Sequence, residues 1–333
     1  MRSLAILLML GAEPALADIA RQGVACDAVT AAPGCLGATA LFGFDPTGGM
    51  VVLGDRLRLA GIDRRDGADR MVILDLSLPD GEVLAVVPLV GDVPLGSTSE
   101  FAPDGSVLLV APHLDWSKIT EDALLPQTML AFDAWGKPIG RAEGLGVTAL
   151  VDAFGENRLR FEAGRVTLAL PDLGDKAQVV VDLAKGLVVD GPVVDGAWLY
   201  QYVFDRDRGW HQGDVVAEAR YSRDGSPSAV LLRGAEALVL GGVPGVYDRE
   251  FSQPVLSPDG GSLAVLQLAE GAPGPILLAL RLPEGGEVWR GVVAEAKDRP
   301  VLYRWSAGGD LVTLQPHPVL TGTETLIVYR PGP

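Results

Sequence analysis

The chain is predicted to be all-β: a β-propeller of about six four-stranded antiparallel blades, its ring closed by an N-terminal strand. Three observations point there. Gly (42) and Pro (24) are plentiful and 48% of the 333 residues are hydrophobic, with Val and Leu dominating the apolar set and no capped run of helical periodicity. Short apolar runs meet at polar turns that carry glycine. Those turns recur in two interleaved series with one period, near 50 residues, as blades do.

The first element is a leader. In MRSLAILLMLGAEPALA, Arg2 is the positive region, Leu4 to Leu10 the apolar core, and Ala15-Leu16-Ala17 a small-residue cleavage site. Residues 1–17 therefore read as a secretory signal peptide, removed before Asp18. The mature chain, 18–333, is expected to be a single propeller domain, exported to the periplasm or secreted. No segment reaches the roughly 18 to 20 uncharged apolar residues that a membrane span needs.

Next come Cys26 and Cys35, the only cysteines. In an exported chain thiols tend to oxidise, so a disulfide is expected. Free buried thiols are one alternative and a redox pair the other, although C-x8-C is not the C-x-x-C spacing of redox pairs.

The blade corners follow. In PVLSPDGGSLAVL (254–266), Pro258 presets φ at the first corner, Asp259 tolerates the second, and Gly260 accepts the left-handed conformation that lets antiparallel strands re-pair. Similar stretches are FDPTGGMVVLG (44–54), FAPDGSVLLVA (101–111), FGENRLRFE (154–162), FDRDRGW (204–210) and WSAGGDLVTL (305–314). Their glycines, Gly48, Gly105, Gly155, Gly209, Gly260 and Gly309, step by 57, 50, 54, 51 and 49 residues. A second series marks the hairpins between the two outer strands of each blade. Its glycines, Gly81, Gly136, Gly186, Gly234 and Gly285, step by 55, 50, 48 and 51.

Continuing the second series predicts a corner near residue 333, where the chain ends. The last blade therefore lacks its outermost strand, and the segment from Arg21 to Thr30 is expected to supply it. Cys26 would then lie on the closing strand and Cys35 just before the first inner strand, so that their disulfide staples the seam. Seven blades are the alternative if the irregular stretch 191–250 holds one more.

The strands of SPDGGSLAVL and APDGSVLLVA resemble the WD-like repeat of the TolB propeller, which prolyl-oligopeptidase-type propellers also use. The resemblance is good at 101–111 and 251–290, partial at 44–54 and 300–314, and weak between. It implies a propeller. The chain has no room for the α/β domain that precedes the propeller in TolB, nor for a hydrolase domain, so neither a Tol-Pal role nor peptidase activity carries over.

Blade topology sorts the loops. Connections between second and third strands, and between blades, gather on one face: 61–70, 111–127, 171–176, 245–251, 268–275, 294–300 and 315–324. That face carries the candidate partner-binding residues His113, Asp115, Trp116, Asp248, Arg249 and His317. His113 or His317 beside Asp115 or Asp248 has the makings of a base or metal ligand near the channel. Each histidine also adjoins proline on an exposed loop, where packing or solvation accounts for it. Trp116 is either a contact residue or a loop anchor. His211, beside Trp210 near the opposite face, is read as structural.

Catalytic motifs are missing: there is no G-x-S-x-G, G-x-x-x-x-G-K or H-E-x-x-H, and no dinucleotide fingerprint. No catalytic residue is nominated. In DRDRG (205–209) the glycine comes one place early for a calcium loop, and the twelfth position is Val216 rather than Glu. No cofactor is predicted, and Ca2+ in the channel is the ion left open. A net charge of −16 repels phosphate backbones and anionic headgroups, so nucleic acid and membrane surfaces are poor partners.

The leading expectation is a non-enzymatic propeller that scaffolds a protein partner in an envelope assembly. The alternatives are a hydrolase or lactonase with a metal or polar site at the channel mouth, and a small-ligand binding protein.

Overall fold

The computed structural model describes residues 21–332 except 66, 96, 103, 113–123, 149–157, 170–177, 191–202, 205–215, 221–228, 234–236, 241–254, 268–273, 283–285 and 294–300. Within them the chain is almost all strand. The N-terminal elements are β1 (Arg21–Val24), the short helix α1 (Cys26–Val29) and β2 (Cys35–Leu41).

Antiparallel meanders then follow one another along the chain. Sheet 1 is β3 (Phe44–Leu53), β4 (Arg56–Asp63), β5 (Arg70–Ser77) and β6 (Val83–Pro88). Sheet 2 is β7 (Thr98–Phe101), β8 (Val107–Pro112), β9 (Leu124–Phe132) and β10 (Pro138–Thr148). Sheet 3 is β11 (Arg158–Glu162), β12 (Arg165–Ala169), β13 (Gln178–Asp182) and β14 (Leu187–Asp190), and β15 (Val203–Phe204) pairs in parallel with β11. Sheet 4 shows β16 (Val216–Arg220), β17 (Ala229–Arg233) and β18 (Ala237–Leu240). Sheet 5 is β19 (Val255–Leu256), β20 (Ser262–Gln267), β21 (Ile276–Arg281) and β22 (Gly286–Val292). Sheet 6 is β23 (Leu302–Trp305), β24 (Leu311–Pro316) and β25 (Glu324–Tyr329), extended by β2 and then β1.

The core lies between successive sheets, and strand alternation builds it. On β25, Leu326 and Val328 face sheet 1, while Ile327 and Tyr329 face sheet 5. On β5, Val72, Leu74 and Leu76 pack toward sheet 6, and Met71 and Ile73 toward sheet 2. A strand buried on both faces needs apolar residues at every position, which is why these runs do not alternate with polar ones. Each such side chain contributes about 1.5–3 kcal/mol on leaving water. The order is that of propeller blades: sheets 5, 6, 1 and 2 pack face to face in turn.

Side chains also tie one sheet to the next. Arg304 Nε donates to Met50 O at 3.1 Å, joining sheets 6 and 1. Trp305 Nε1 donates to Val255 O at 2.9 Å, joining sheets 6 and 5. Arg58 Nη1 reaches Gly105 O at 2.9 Å and Ala134 O at 3.2 Å across the boundary of sheets 1 and 2. The amide of Arg141 donates to Leu183 O at 3.0 Å, joining sheets 2 and 3.

Most corners within the described residues stand where the turn chemistry put them. Gly260 N donates to Ser257 O at 2.9 Å, and Asp259 Oδ1 accepts from the amide of Gly261 at 3.0 Å. Gly105 and Gly309 close the equivalent turns of sheets 2 and 6, and Gly81, Gly136 and Gly186 turn the outer hairpins of sheets 1, 2 and 3. Gly155, Gly209, Gly234 and Gly285 lie outside the described residues.

Two expectations need correction. Gly48 is not a hairpin corner. It lies inside β3, where the register shifts between Pro46 and Met50, and the hairpin turns at Gly54 instead. The bulge aims the amide of Gly49 at Ser99 Oγ on β7, 2.8 Å away, so contact with the next sheet takes up the flexibility.

The strand that completes sheet 6 is not drawn from Arg21–Thr30 either. It is β2, antiparallel to β25 with Leu41 opposite Glu324, and Arg21–Val24 forms a fifth strand outside it. The residues of β2 suit that inner place, with Ala38 and Ala40 buried, whereas those of β1 are largely exposed. The disulfide between Cys26 and Cys35 is present, but Cys26 opens α1 rather than lying on the closing strand, and Cys35 opens β2 rather than preceding an inner strand.

Candidate functional site

The loop end of sheets 6 and 1 is the part of the predicted functional face that the structure describes best. Leu41 stands opposite Glu324, and Phe44 opposite Asp63. The β24–β25 loop, the β2–β3 turn and the β4–β5 loop therefore emerge at one end of two neighbouring sheets.

The β4–β5 loop is built on Asp63. Its side chain, only 1% exposed, accepts from Arg65 Nε and Nη2, each at 2.7 Å, and from the Arg65 amide at 3.2 Å. Arg70 Nη2 adds a contact at 3.4 Å. The Arg65 guanidinium, helped by its own amide and by the charge of Arg70, outweighs burial and holds the Asp63 carboxyl below the usual aspartate value. The loop then lies on the turn from β2 to β3. Arg64 N donates to Gly43 O at 2.9 Å. Gly43 has φ +68°, and a Cβ there would come within 2.7 Å of Arg65 Cγ, so both backbone and space call for glycine.

Arg64 spans the outer rim, 2.8 Å from Asp45 and 3.5 Å from Asp69. The rim thus pairs guanidinium with carboxylate at each step. Such pairs are exposed, contribute little stability, and suit the charged edge of a contact surface.

The β24–β25 loop presents the opposite character. The amide of His317 donates to Thr323 O at 2.8 Å, closing the loop base. Its ring Nδ1 accepts from the amides of Val319 and Leu320 at 3.1 and 3.0 Å. These two bonds set the orientation of the ring against the loop backbone. The cap holds up an apolar tip: Val319 is 77% exposed and Leu320 40%. The Nδ1 of His317 is thus engaged by the backbone of its own loop.

Of the six partner-binding candidates, His317 alone is among the described residues. His113, Asp115, Trp116, Asp248 and Arg249 lie outside the described residues. His211 and the 205–209 segment do as well. Asp63, Arg64, Arg65, Val319 and Leu320 were not singled out, although both of their loops were assigned to this face. The alternating charges of DRRDGADR were the available signal for the first loop. The PVL run after His317 was the signal for the second. Among the described residues, no three of His, Cys, Asp and Glu are placed to hold a metal ion, and no helix is long and apolar enough to cross a membrane.

No protein-family model matches the chain, and no curated protein matches it significantly. Many solved structures resemble it in shape. A member of the DUF4221 family from Bacteroides vulgatus is 8% identical, with 94% of this chain and 99% of that one covered, at a TM-score of 0.42. An oligogalacturonate lyase in complex with manganese is 12% identical, with 94% and 97% covered, at 0.46. The β-propeller domain of the Trilobed protease from Pyrococcus furiosus is 12% identical, with 90% and 83% covered, at 0.35. At such identities and scores nothing of these proteins' activities carries over to this chain.

Proposed function

We propose that the six sheets are the blades of a closed propeller, that β2 is its closing strand, and that the mature chain from Asp18 is an exported, periplasmic scaffold. Its loop end binds a protein partner within an envelope assembly. The observation that supports this reading is the tip of Val319 and Leu320, held out from the scaffold by His317 and placed at the same end as the charged loop of Arg64 and Asp69. A rigid apolar anchor beside a polar rim is the anatomy of a contact surface. The chain's charge of −16 favours a partner with a basic rim around an apolar pocket.

The test is crosslinking and affinity purification of the tagged mature chain from its own envelope, alongside a Val319→Asp, Leu320→Asp variant. A stoichiometric partner captured by the first and lost by the second, at equal melting temperature, supports the scaffold. A clean preparation without a partner defeats it, and a thermal-shift screen of ions and metabolites then becomes the next step.

A further inference from the structure

In every described outer hairpin of sheets 1, 2 and 3, a glycine with positive φ turns against the outer strand of the preceding sheet. Gly81 meets Thr39 on β2, Gly136 meets Val87 and Pro88 on β6, and Gly186 meets Arg141 on β10. Sheet 6 has no such hairpin, because its third and fourth strands, β25 and β2, come from opposite ends of the chain. The corner is nevertheless rebuilt. Gly34, at φ +76°, accepts a hydrogen bond from Arg330 N at 2.8 Å and leaves no space for a Cβ beside Arg330 O. Trp289 Nε1 on β22 donates to Pro33 O at 2.8 Å, and Ala32 packs against Gly291 on the same strand.

No peptide bond holds this corner shut, and the bridged segment 26–35 takes that part. Its Val29 is buried in the core between sheets 5 and 6. Thr30 Oγ1 sits 3.1 Å from the hydroxyl of Tyr329, the last residue of β25, and the Tyr329 ring lies 4.9 Å from that of Trp289. The disulfide joins α1 to the first residue of β2, so it fastens this plug to the closing strand. Both cysteines are half-buried, and their neighbours Ala25, Asp27 and Leu36 are exposed.

We infer that the Cys26–Cys35 disulfide is a reversible latch: it stands in for the missing hairpin, and its reduction releases β2 from β25 while the other sheets stay intact. The reductant is a protein or small-molecule dithiol. One of its thiolates attacks a bridge sulfur to give a mixed disulfide, and its second thiol displaces the remaining cysteine. Two electrons and two protons pass to Cys26 and Cys35, which become thiols, and the dithiol becomes a disulfide. The outer edge of β25 then lacks its partner strand and is available for strand addition.

The experiment is hydrogen exchange on the folded mature protein, oxidised and after treatment with dithiothreitol, with thiol labelling to show complete reduction. The latch predicts exchange faster by about 30-fold or more in 21–41 and 324–329, the scale of a short-loop disulfide, with β4, β8 and β20 unchanged. Reoxidation restores the original pattern. Unchanged protection after full reduction overturns the inference, as does uniform loss across all sheets. A Cys26→Ser variant held in the same buffer without reductant should match the reduced pattern, and a match to the oxidised one also overturns it.

Discussion

Arg58 on β4 grips Asp75 on β5 at two points, Nε to Oδ1 at 2.7 Å and Nη2 to Oδ2 at 2.8 Å, with both side chains buried. The remaining nitrogen of the fork is spent on the Gly105 and Ala134 carbonyls of sheet 2. The Arg58 guanidinium thus pairs with a buried carboxylate, which Arg56 Nη1 also reaches at 3.3 Å, and fastens two turns of the adjoining sheet.

Replacing Arg58 by Ala should therefore destabilise the protein by about 3 kcal/mol, the lower end of the cost of breaking a buried pair, because Asp75 keeps only the half-exposed Arg56 at 3.3 Å while two carbonyls lose a donor. Arg58→Met with Asp75→Leu should recover much of that loss. Urea unfolding of the three proteins checks both statements, and equal losses for the single and double variants would show that the pair's charge is not what matters.

Asp63 makes stability depend on acid. Its carboxyl titrates below its ordinary value of 3.8 in the folded chain, mainly through the Arg65 hydrogen bonds. The unfolded chain therefore binds a proton first on acidification. The contribution is complete above the unfolded value and disappears as pH falls through the lowered folded one. Asp63→Asn should flatten the stability profile below about pH 4 relative to the parent. Melting curves across pH 2 to 6, a range that brackets the aspartate value, decide it.

The His317 cap should shape a loop rather than hold the fold. His317→Ala removes the acceptor of the Val319 and Leu320 amides. It should cost no more than about 1 kcal/mol, since the loop is exposed and water replaces the ring. Exchange of those two amides should quicken several-fold. A large loss of stability would instead mean that the loop is part of the core.

Trp289 separates packing from hydrogen bonding at the corner of sheet 6. Trp289→Phe retains an aromatic ring against Tyr329 and loses the bond to Pro33 O, for about 1 kcal/mol. Trp289→Ala should cost about 3–5 kcal/mol, through the cavity it leaves between sheets 5 and 6. Denaturant midpoints for the pair give the comparison.

The corners were legible because their causes are local. Ser257, Pro258, Asp259 and Gly260 satisfy one another within a few residues, whatever surrounds them. Pro46, Gly48 and Gly49 offered the same vocabulary and produced a bulge. The deciding contact there is Ser99, fifty residues away on another sheet. At the loop end, the two loops could be assigned to a face from strand order alone, while the Arg65–Asp63 grip and the ring acceptor of His317 depend on side-chain placement that spacing does not encode.

Turn chemistry and unbroken apolar runs, read without coordinates, determined an all-β chain of repeated antiparallel meanders, and the count of two cysteines made a bridge between Cys26 and Cys35 the expectation that the structure bears out. Tertiary structure alone decided which segment completes sheet 6. Both candidates are short and near the N-terminus, and the choice rests on burial. Ala38 and Ala40 of β2 fit beneath neighbouring sheets, whereas Arg21 and Gln22 of β1 keep to the exposed edge. A turn is selected by a few adjacent residues, but a strand that joins two chain ends is selected by every surface it covers.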